Sequence, residues 1–96
     1  MDRDEVLQIL ARFWERRQGE FGIIRLGVFG SVARGEPSLS GDVDVVVEIA
    51  QPDLLTLVAI KQELEEMLGR PVDIVRYRDR MNPFLKRRIE QEAIYV

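Results

Sequence analysis

The chain has 96 residues, 46% of them hydrophobic and 32% charged, and its formal net charge is −3. A chain of this length supports one hydrophobic core, so residues 1–96 are predicted to form a single domain. It has no cysteine and no histidine, which excludes disulfides, thiolate or imidazole catalysis and Cys/His metal sites. The groups left for chemistry are carboxylates, hydroxyls, Arg, Lys and an oxygen-binding cation such as Mg²⁺.

Charge and hydropathy predict the compartment and argue against two classes of partner, membranes and nucleic acid. No apolar run approaches the ~20 residues of a membrane helix, so no membrane contact is expected. Residues 1–5 are too acidic for a signal peptide, which predicts a cytoplasmic protein. A net negative charge disfavours direct binding of nucleic acid, because duplex-binding domains usually carry a basic excess.

The first half of the chain reads as a helix, a strand and a loop. Apolar residues at three-to-four spacing predict a helix over residues 3–18, ended by Gly19 and Gly22. Branched and aromatic residues predict a strand over residues 23–29. After a short helical turn, residues 35–41 have the composition of a loop.

The second half predicts a strand, a helix, a strand and a last helix. An apolar strand covers residues 43–49, and Asp53 caps a helix that continues to Leu68. A short strand follows at residues 72–76, and Pro83 opens the last helix. The helix between the second and third strands forms a crossover, so these strands are predicted to be parallel. The fold class is therefore α/β, a small mixed sheet flanked by helices. Three aromatic side chains on apolar helix faces are predicted to lie in the core: Phe13, Trp14 and Phe84.

A glycine-serine pair at the end of the first predicted strand is a candidate phosphate-binding turn. Gly30 has no side chain, so a phosphate can approach the backbone closely, and Ser31 offers its hydroxyl and its N–H group. Arg34 lies about one helical turn further on, where it reaches a phosphate or steadies the loop. Taken alone, the pair is better explained as a turn with a helix cap, because short glycine motifs often occur without a bound phosphate.

Two aspartates at the start of the second strand are a candidate metal site. Asp42 and Asp44 lie two residues apart, so they project from the same face of a strand, ~6.5–7 Å apart along the backbone. Carboxylates this close repel each other unless a cation lies between them or one is protonated. Mg²⁺ or Mn²⁺ suits such hard oxygen ligands. The alternative is a capped strand start with solvated carboxylates.

Asp73 is the third candidate carboxylate. It opens the strand that is predicted to lie beside the Asp44 strand, within an otherwise apolar segment, and burial there would need a compensating partner. Three carboxylates around a metal pair are typical of phosphoryl and nucleotidyl transfer. Read alone, Asp73 is equally well explained as a strand-edge residue that faces water.

Together these residues resemble the nucleotidyltransferase superfamily built on the polymerase-beta-type catalytic core. Its pattern is Gly-Ser, a loop, Asp-x-Asp and a later Asp on a neighbouring strand, and here ten residues separate Ser31 from Asp42. A closer resemblance, to the minimal nucleotidyltransferase (MNT) proteins of prokaryotes, is carried by Phe29-Gly30-Ser31-Val32-Ala33-Arg34-Gly35-Glu36. The resemblance covers nearly the whole chain.

The resemblance implies a role for each candidate residue. Gly30 and Ser31 would bind the triphosphate of ATP, with Arg34 in a phosphate-binding or structural role. Asp42 and Asp44 would hold two Mg²⁺ ions. Asp73 would be the third ligand and would activate the acceptor hydroxyl.

The chain departs from the family pattern at one position. Serine commonly precedes the first aspartate in the family, and here that residue is Gly41. This loss is expected to loosen the site unless Ser40, one residue earlier, substitutes for it.

MNT proteins are typically antitoxins that act with HEPN-domain toxins. The resemblance implies transfer of AMP from ATP to a hydroxyl of such a partner, because a chain this short has no second domain to bind an acceptor. Two alternatives stay open: an antitoxin that blocks its partner by contact alone, and a transferase acting on a small molecule. A homo- or hetero-oligomer is compatible with either.

Overall fold

The computed structural model describes residues 1–37 and 41–96. In chain order the elements are α1 (Arg3–Phe21), β1 (Ile23–Phe29), α2 (Gly30–Ala33), β2 (Val43–Ile49), α3 (Leu54–Leu68), β3 (Val72–Arg76), α4 (Pro83–Glu92) and β4 (Ile94–Tyr95). The predicted α/β class is confirmed. Within the described residues, no helix is long and apolar enough to cross a membrane.

The four strands form one mixed sheet in the order β3-β2-β1-β4. β2 and β3 are parallel, as the crossover predicts, whereas β1 is antiparallel to both β2 and β4. β4 was not predicted, because two residues are too few for a periodic pattern. Its pairing with β1 places the C-terminal segment beside the strand that ends at Phe29.

Alternation along β2 separates the two faces of the sheet. Val43, Val45 and Val47 pack in the larger core, which includes buried residues of α1 and α3. Val46 points to the other face, where it packs with Phe29 and with Ile89 of α4. Because side chains alternate along a strand, Asp44 lies on the same face as Val46. The carboxylates of the predicted site therefore lie on the α4 face.

The first helix is longer than predicted. It continues to Phe21, and Gly22 ends it in the left-handed conformation with φ of 64°. The extension brings the ring of Phe21 onto that of Phe13, where the two rings stack with 6.3 Å between their centroids. Gly19 was wrongly predicted to end the helix, because one glycine in a helix costs only about 1 kcal/mol and this packing offsets it.

The predicted core is correct for Phe13 and wrong for Phe84. Phe13 is fully buried, and Trp14 is partly buried against the same core. Phe84 is 74% exposed, in the first turn of α4. Likewise Leu54, at the start of α3, is 75% exposed, while Leu64 is fully buried. The spacing of apolar residues identifies the face of a helix that turns toward the core. It does not show how far along the helix that face is covered by neighbouring elements.

We expect Gly27→Ala to destabilise the protein by disturbing the pairing of β1 with β4. A Cβ atom at Gly27 would lie 2.6 Å from the carbonyl oxygen of Ile94 and 2.9 Å from Cδ1 of Tyr95. Such overlap should lower the free energy of unfolding by roughly 1–3 kcal/mol, measured by urea denaturation.

Gly19→Ala is the matched control for this substitution. A Cβ at Gly19 would meet none of the described residues within 4 Å, so alanine should raise stability by up to about 1 kcal/mol through its helix propensity. A Gly27→Ala protein as stable as the wild type would mean that β4 does not pack against β1 in solution.

Candidate active site

The exit of β1 is built around a glycine that touches a carboxylate. Phe29, the last residue of β1, pairs with Asp44 of β2, and α2 begins directly at Gly30. Gly30 is buried and has φ of 75°, and an added Cβ would overlap the carboxylate of Asp44. Both the backbone conformation and the space require glycine here.

Two of the three predicted carboxylates are direct neighbours across the parallel strands. Asp44 of β2 pairs with Asp73 of β3, at the ~4.8 Å spacing of adjacent strands. This confirms the prediction that the Asp73 strand lies beside the Asp44 strand. Asp42, the residue before β2 begins, is partly exposed. Asp73 is exposed on the edge strand β3, which agrees with the alternative of a strand-edge residue that faces water, whereas Asp44 is half-buried.

The surroundings of Asp44 disfavour its ionised form. Burial raises the pKa of the Asp44 carboxyl above its ordinary value, and repulsion from Asp73 and Asp42 raises this pKa further. Arg88 and Arg34 act in the opposite direction and lower it. Asp44 is therefore close enough to Asp73 and Asp42 to be repelled by both, and to Arg88 and Arg34 to be attracted by them.

These side chains have the chemistry of a site for a divalent cation. In residues 1–37 and 41–96, no three acidic side chains form a compact metal-binding group. The donor set nevertheless fits Mg²⁺, because it consists of carboxylates whose mutual repulsion a cation would relieve. Asp44 and Asp73, on adjacent strands, are the two best placed to share an ion.

Two further residues of the predicted site are Ser31, which follows Gly30, and Gly41, which precedes Asp42. Ser31 is half-buried in the first turn of α2. Gly41 has φ of 78°, and an added Cβ atom would meet none of the described residues within 4 Å. A serine here would be strained by the backbone rather than by space, which gives a physical reason for the glycine. Ser40, the predicted substitute, lies outside the described residues.

Arg34 is bound by two carboxylates. Its Nε donates to Glu36 over 3.1 Å and its Nη1 to Glu92 over 2.7 Å. Arg88 of α4 lies near the same place, with its guanidinium 5.9 Å from the Phe29 ring centroid. Sequence reasoning missed Glu92 and Arg88, because they lie outside the motif and reach the site only through the packing of α4.

The fold and this arrangement together define a class of protein. A mixed sheet whose first strand ends in Gly-Ser beside an Asp-x-Asp strand is the core of polymerase-beta-like nucleotidyltransferases. The sequence matches the nucleotidyltransferase domain family over residues 5–96, and the chain belongs to this family. The prediction of a nucleotidyltransferase is thereby confirmed.

Two relatives illustrate the similarity in sequence. A protein of Methanocaldococcus jannaschii, provisionally named a protein adenylyltransferase, is 45% identical over 76 residues, which are 78% of this chain and 81% of that protein. The protein adenylyltransferase MntA of Thermococcus cleftensis is 32% identical over 94 residues, which are 97% of this chain and 94% of that protein.

Solved structures show the same fold. One described as a minimal nucleotidyltransferase superposes with a TM-score of 0.77 at 37% identity, covering 98% of this chain and 95% of the other. A toxin-antitoxin structure with AMP-PNP has a TM-score of 0.69 at 17% identity, covering 99% and 72%. An MNT antitoxin in complex with a tri-AMPylated HEPN toxin of Shewanella oneidensis has a TM-score of 0.68 at 17% identity, covering 94% and 70%.

We expect Asp44→Asn to stabilise the metal-free protein. The pKa of Asp44 is raised in the folded state. At a pH above this pKa the charge of Asp44 therefore lowers the free energy of unfolding, and at a pH where the carboxyl is protonated this effect is absent. The amide removes the charge, so the melting temperature at neutral pH should rise by about 2–5 °C. The gain should shrink as the pH falls through the pKa of Asp44.

The measurement is thermal unfolding in chelator, from acidic to neutral pH, beside an Asp79→Asn control. Asp79 is exposed in the connection between β3 and α4, so this variant should match the wild type. A lower melting temperature for Asp44→Asn at neutral pH would contradict the electrostatic reasoning.

Proposed function

We propose that the protein is a Mg²⁺-dependent enzyme that transfers AMP from ATP to a hydroxyl group of a protein partner. The observation that carries the proposal is the pairing of Asp44 with Asp73 directly beside Gly30. This places two carboxylates next to a backbone turn that has no side chain. Such a site suits a metal-bound triphosphate.

Each residue of the site has a proposed role. Gly30, which has no side chain, lets the turn lie against the Asp44 carboxylate so that the triphosphate can bind beside it, and Ser31 donates its N–H and hydroxyl groups to the phosphate oxygens. Asp42, Asp44 and Asp73 are proposed to hold two Mg²⁺ ions. When bound, such ions neutralise the phosphate charge and lower the pKa of an attacking hydroxyl.

The proposed reaction exchanges a phosphoanhydride bond of ATP for a phosphoester bond to the acceptor. The acceptor oxygen bonds to the α-phosphorus of ATP, the bond from that phosphorus to the bridging oxygen breaks, and pyrophosphate leaves. The hydroxyl proton passes to the carboxylate of Asp73. This role is supported by the exposure of Asp73, because an acceptor held by another molecule can reach it from solvent.

A HEPN-domain toxin is the proposed partner. Support comes from relatives named protein adenylyltransferases and from an MNT antitoxin of the same fold that is described in complex with an AMPylated HEPN toxin. The protein would then act as the antitoxin of a toxin-antitoxin pair, and the acceptor hydroxyl would belong to the toxin.

The decisive experiment incubates the protein with α-labelled ATP and Mg²⁺ in a lysate of its source organism. We expect a labelled protein band with the wild type. Labelling should fall at least about a hundredfold with Asp44→Asn, because losing even an outer partner of a metal ligand costs 10–100-fold. Asp79→Asn is the matched control and should label like the wild type.

Other outcomes separate the alternatives. If no band forms while wild type and Asp44→Asn both capture the same partner, the protein is an antitoxin that acts by contact alone. If the label appears only in a small molecule, the acceptor is not a protein. Because Asp44→Asn is expected to be stable, its loss of labelling would not reflect unfolding.

A further inference from the structure

Glu92, the last residue of α4, joins α4 to both ends of α2. Its Oε2 accepts a hydrogen bond from the Gly30 N–H group over 3.3 Å, and its Oε1 accepts one from Arg34 over 2.7 Å. Arg88 approaches Oε2 at 3.9 Å. The Glu92 side chain is only 21% exposed. A single carboxylate therefore contacts the glycine at the β1 exit and the arginine that follows it.

The contact with Gly30 supplies a partner that the local sequence does not. Phe29 precedes Gly30, and its side chain makes no capping hydrogen bond. A buried N–H group without a partner is costly. Glu92 accepts from this group across 62 positions of sequence, so the backbone at Gly30 is held by α4.

The contact with Arg34 fixes a guanidinium group from two sides. Glu36 accepts from Nε and Glu92 from Nη1. A guanidinium has five N–H donors, so these two bonds orient the group without exhausting its capacity to bind another anion. An arginine that is already oriented loses less conformational freedom when it binds a phosphate.

The sheet register places Glu92 and Asp44 on opposite sides of the β1 exit. Val28 pairs with Ile94 in antiparallel β4, so two residues further along, Gly30 faces Glu92. Asp44 instead belongs to β2, on the other side of β1. Glu92 therefore does not lie between the glycine turn and the aspartates. This position argues against the alternative that the Glu92 carboxylate occupies the triphosphate site and competes with ATP.

We propose that Glu92 is a positioning residue of the nucleotide site, which acts by holding Gly30 and Arg34 in place for the triphosphate. The inference rests on the proposed binding of ATP at Gly30 and Ser31. It adds a residue of the C-terminal helix that touches no substrate and acts through Arg34 and the backbone of α2.

The test compares Glu92→Ala with Glu63→Ala in ATP binding and in thermal stability. Glu63 is a matched control, because its side chain is 20% exposed and bound to Arg17, on the face of the sheet away from Asp44. We expect Glu92→Ala to raise the ATP dissociation constant about tenfold, the size expected for loss of a charged hydrogen bond. Glu63→Ala should lower the melting temperature similarly but leave the dissociation constant unchanged. Glu92→Gln, which keeps one acceptor oxygen, should recover part of the affinity.

A double substitution tests whether Glu92 acts through Arg34. Arg34→Ala with Glu92→Ala should bind ATP more tightly than the product of the two single losses predicts, because the part of the Glu92 effect that passes through Arg34 is already lost in Arg34→Ala, whereas independent roles would multiply the two losses. A multiplied loss, or a Glu92→Ala protein that binds ATP as well as or better than the wild type, would overturn the inference.

If the wild type binds no ATP, the proposed function itself fails. Unchanged binding in Glu92→Ala beside a binding wild type removes only the role of Glu92.

Discussion

The contact between the backbone of Gly30 and the carboxylate of Asp44 is the constraint on which the site depends. It exists because antiparallel pairing sets Phe29 opposite Asp44 and because Gly30 carries no Cβ. Any larger residue would push the strand exit away from the carboxylate, and the left-handed backbone there would be strained as well. The antiparallel register of β1 with β2 and the absence of a side chain at Gly30 therefore position both the turn and the Asp44 carboxylate.

The same closeness has an electrostatic cost. Asp44 is half-buried and lies beside Asp73, and its raised pKa records both effects. Fully buried valines on either side of it along β2, Val43 and Val45 among them, hold the carboxylate in place. Proteins tolerate such unfavourable groups where function needs them and compensate elsewhere. Here the compensation is a strand that is almost entirely buried.

Local signals predicted most of the fold, and tertiary packing explains the rest. The first three strands, the parallel pair and the Asp53 cap follow from periodicity, crossover geometry and capping preferences. The motif also identified residues that the structure brings together, Gly30 with Asp44 and Asp44 with Asp73. β4 and the contact of Glu92 with Gly30 were not predictable in this way, because each joins residues more than sixty positions apart in the chain.

The C-terminal segment completes the site rather than merely closing the sheet. β4 has two residues, yet aligning Ile94 with Val28 is enough to bring Glu92, two positions earlier, opposite Gly30. The β1 exit is therefore held from both sides, by Asp44 through van der Waals contact and by Glu92 through a hydrogen bond. α4 also packs Ile89 against Phe29. Displacing α4 would therefore disturb the glycine turn even if every residue of the motif were unchanged.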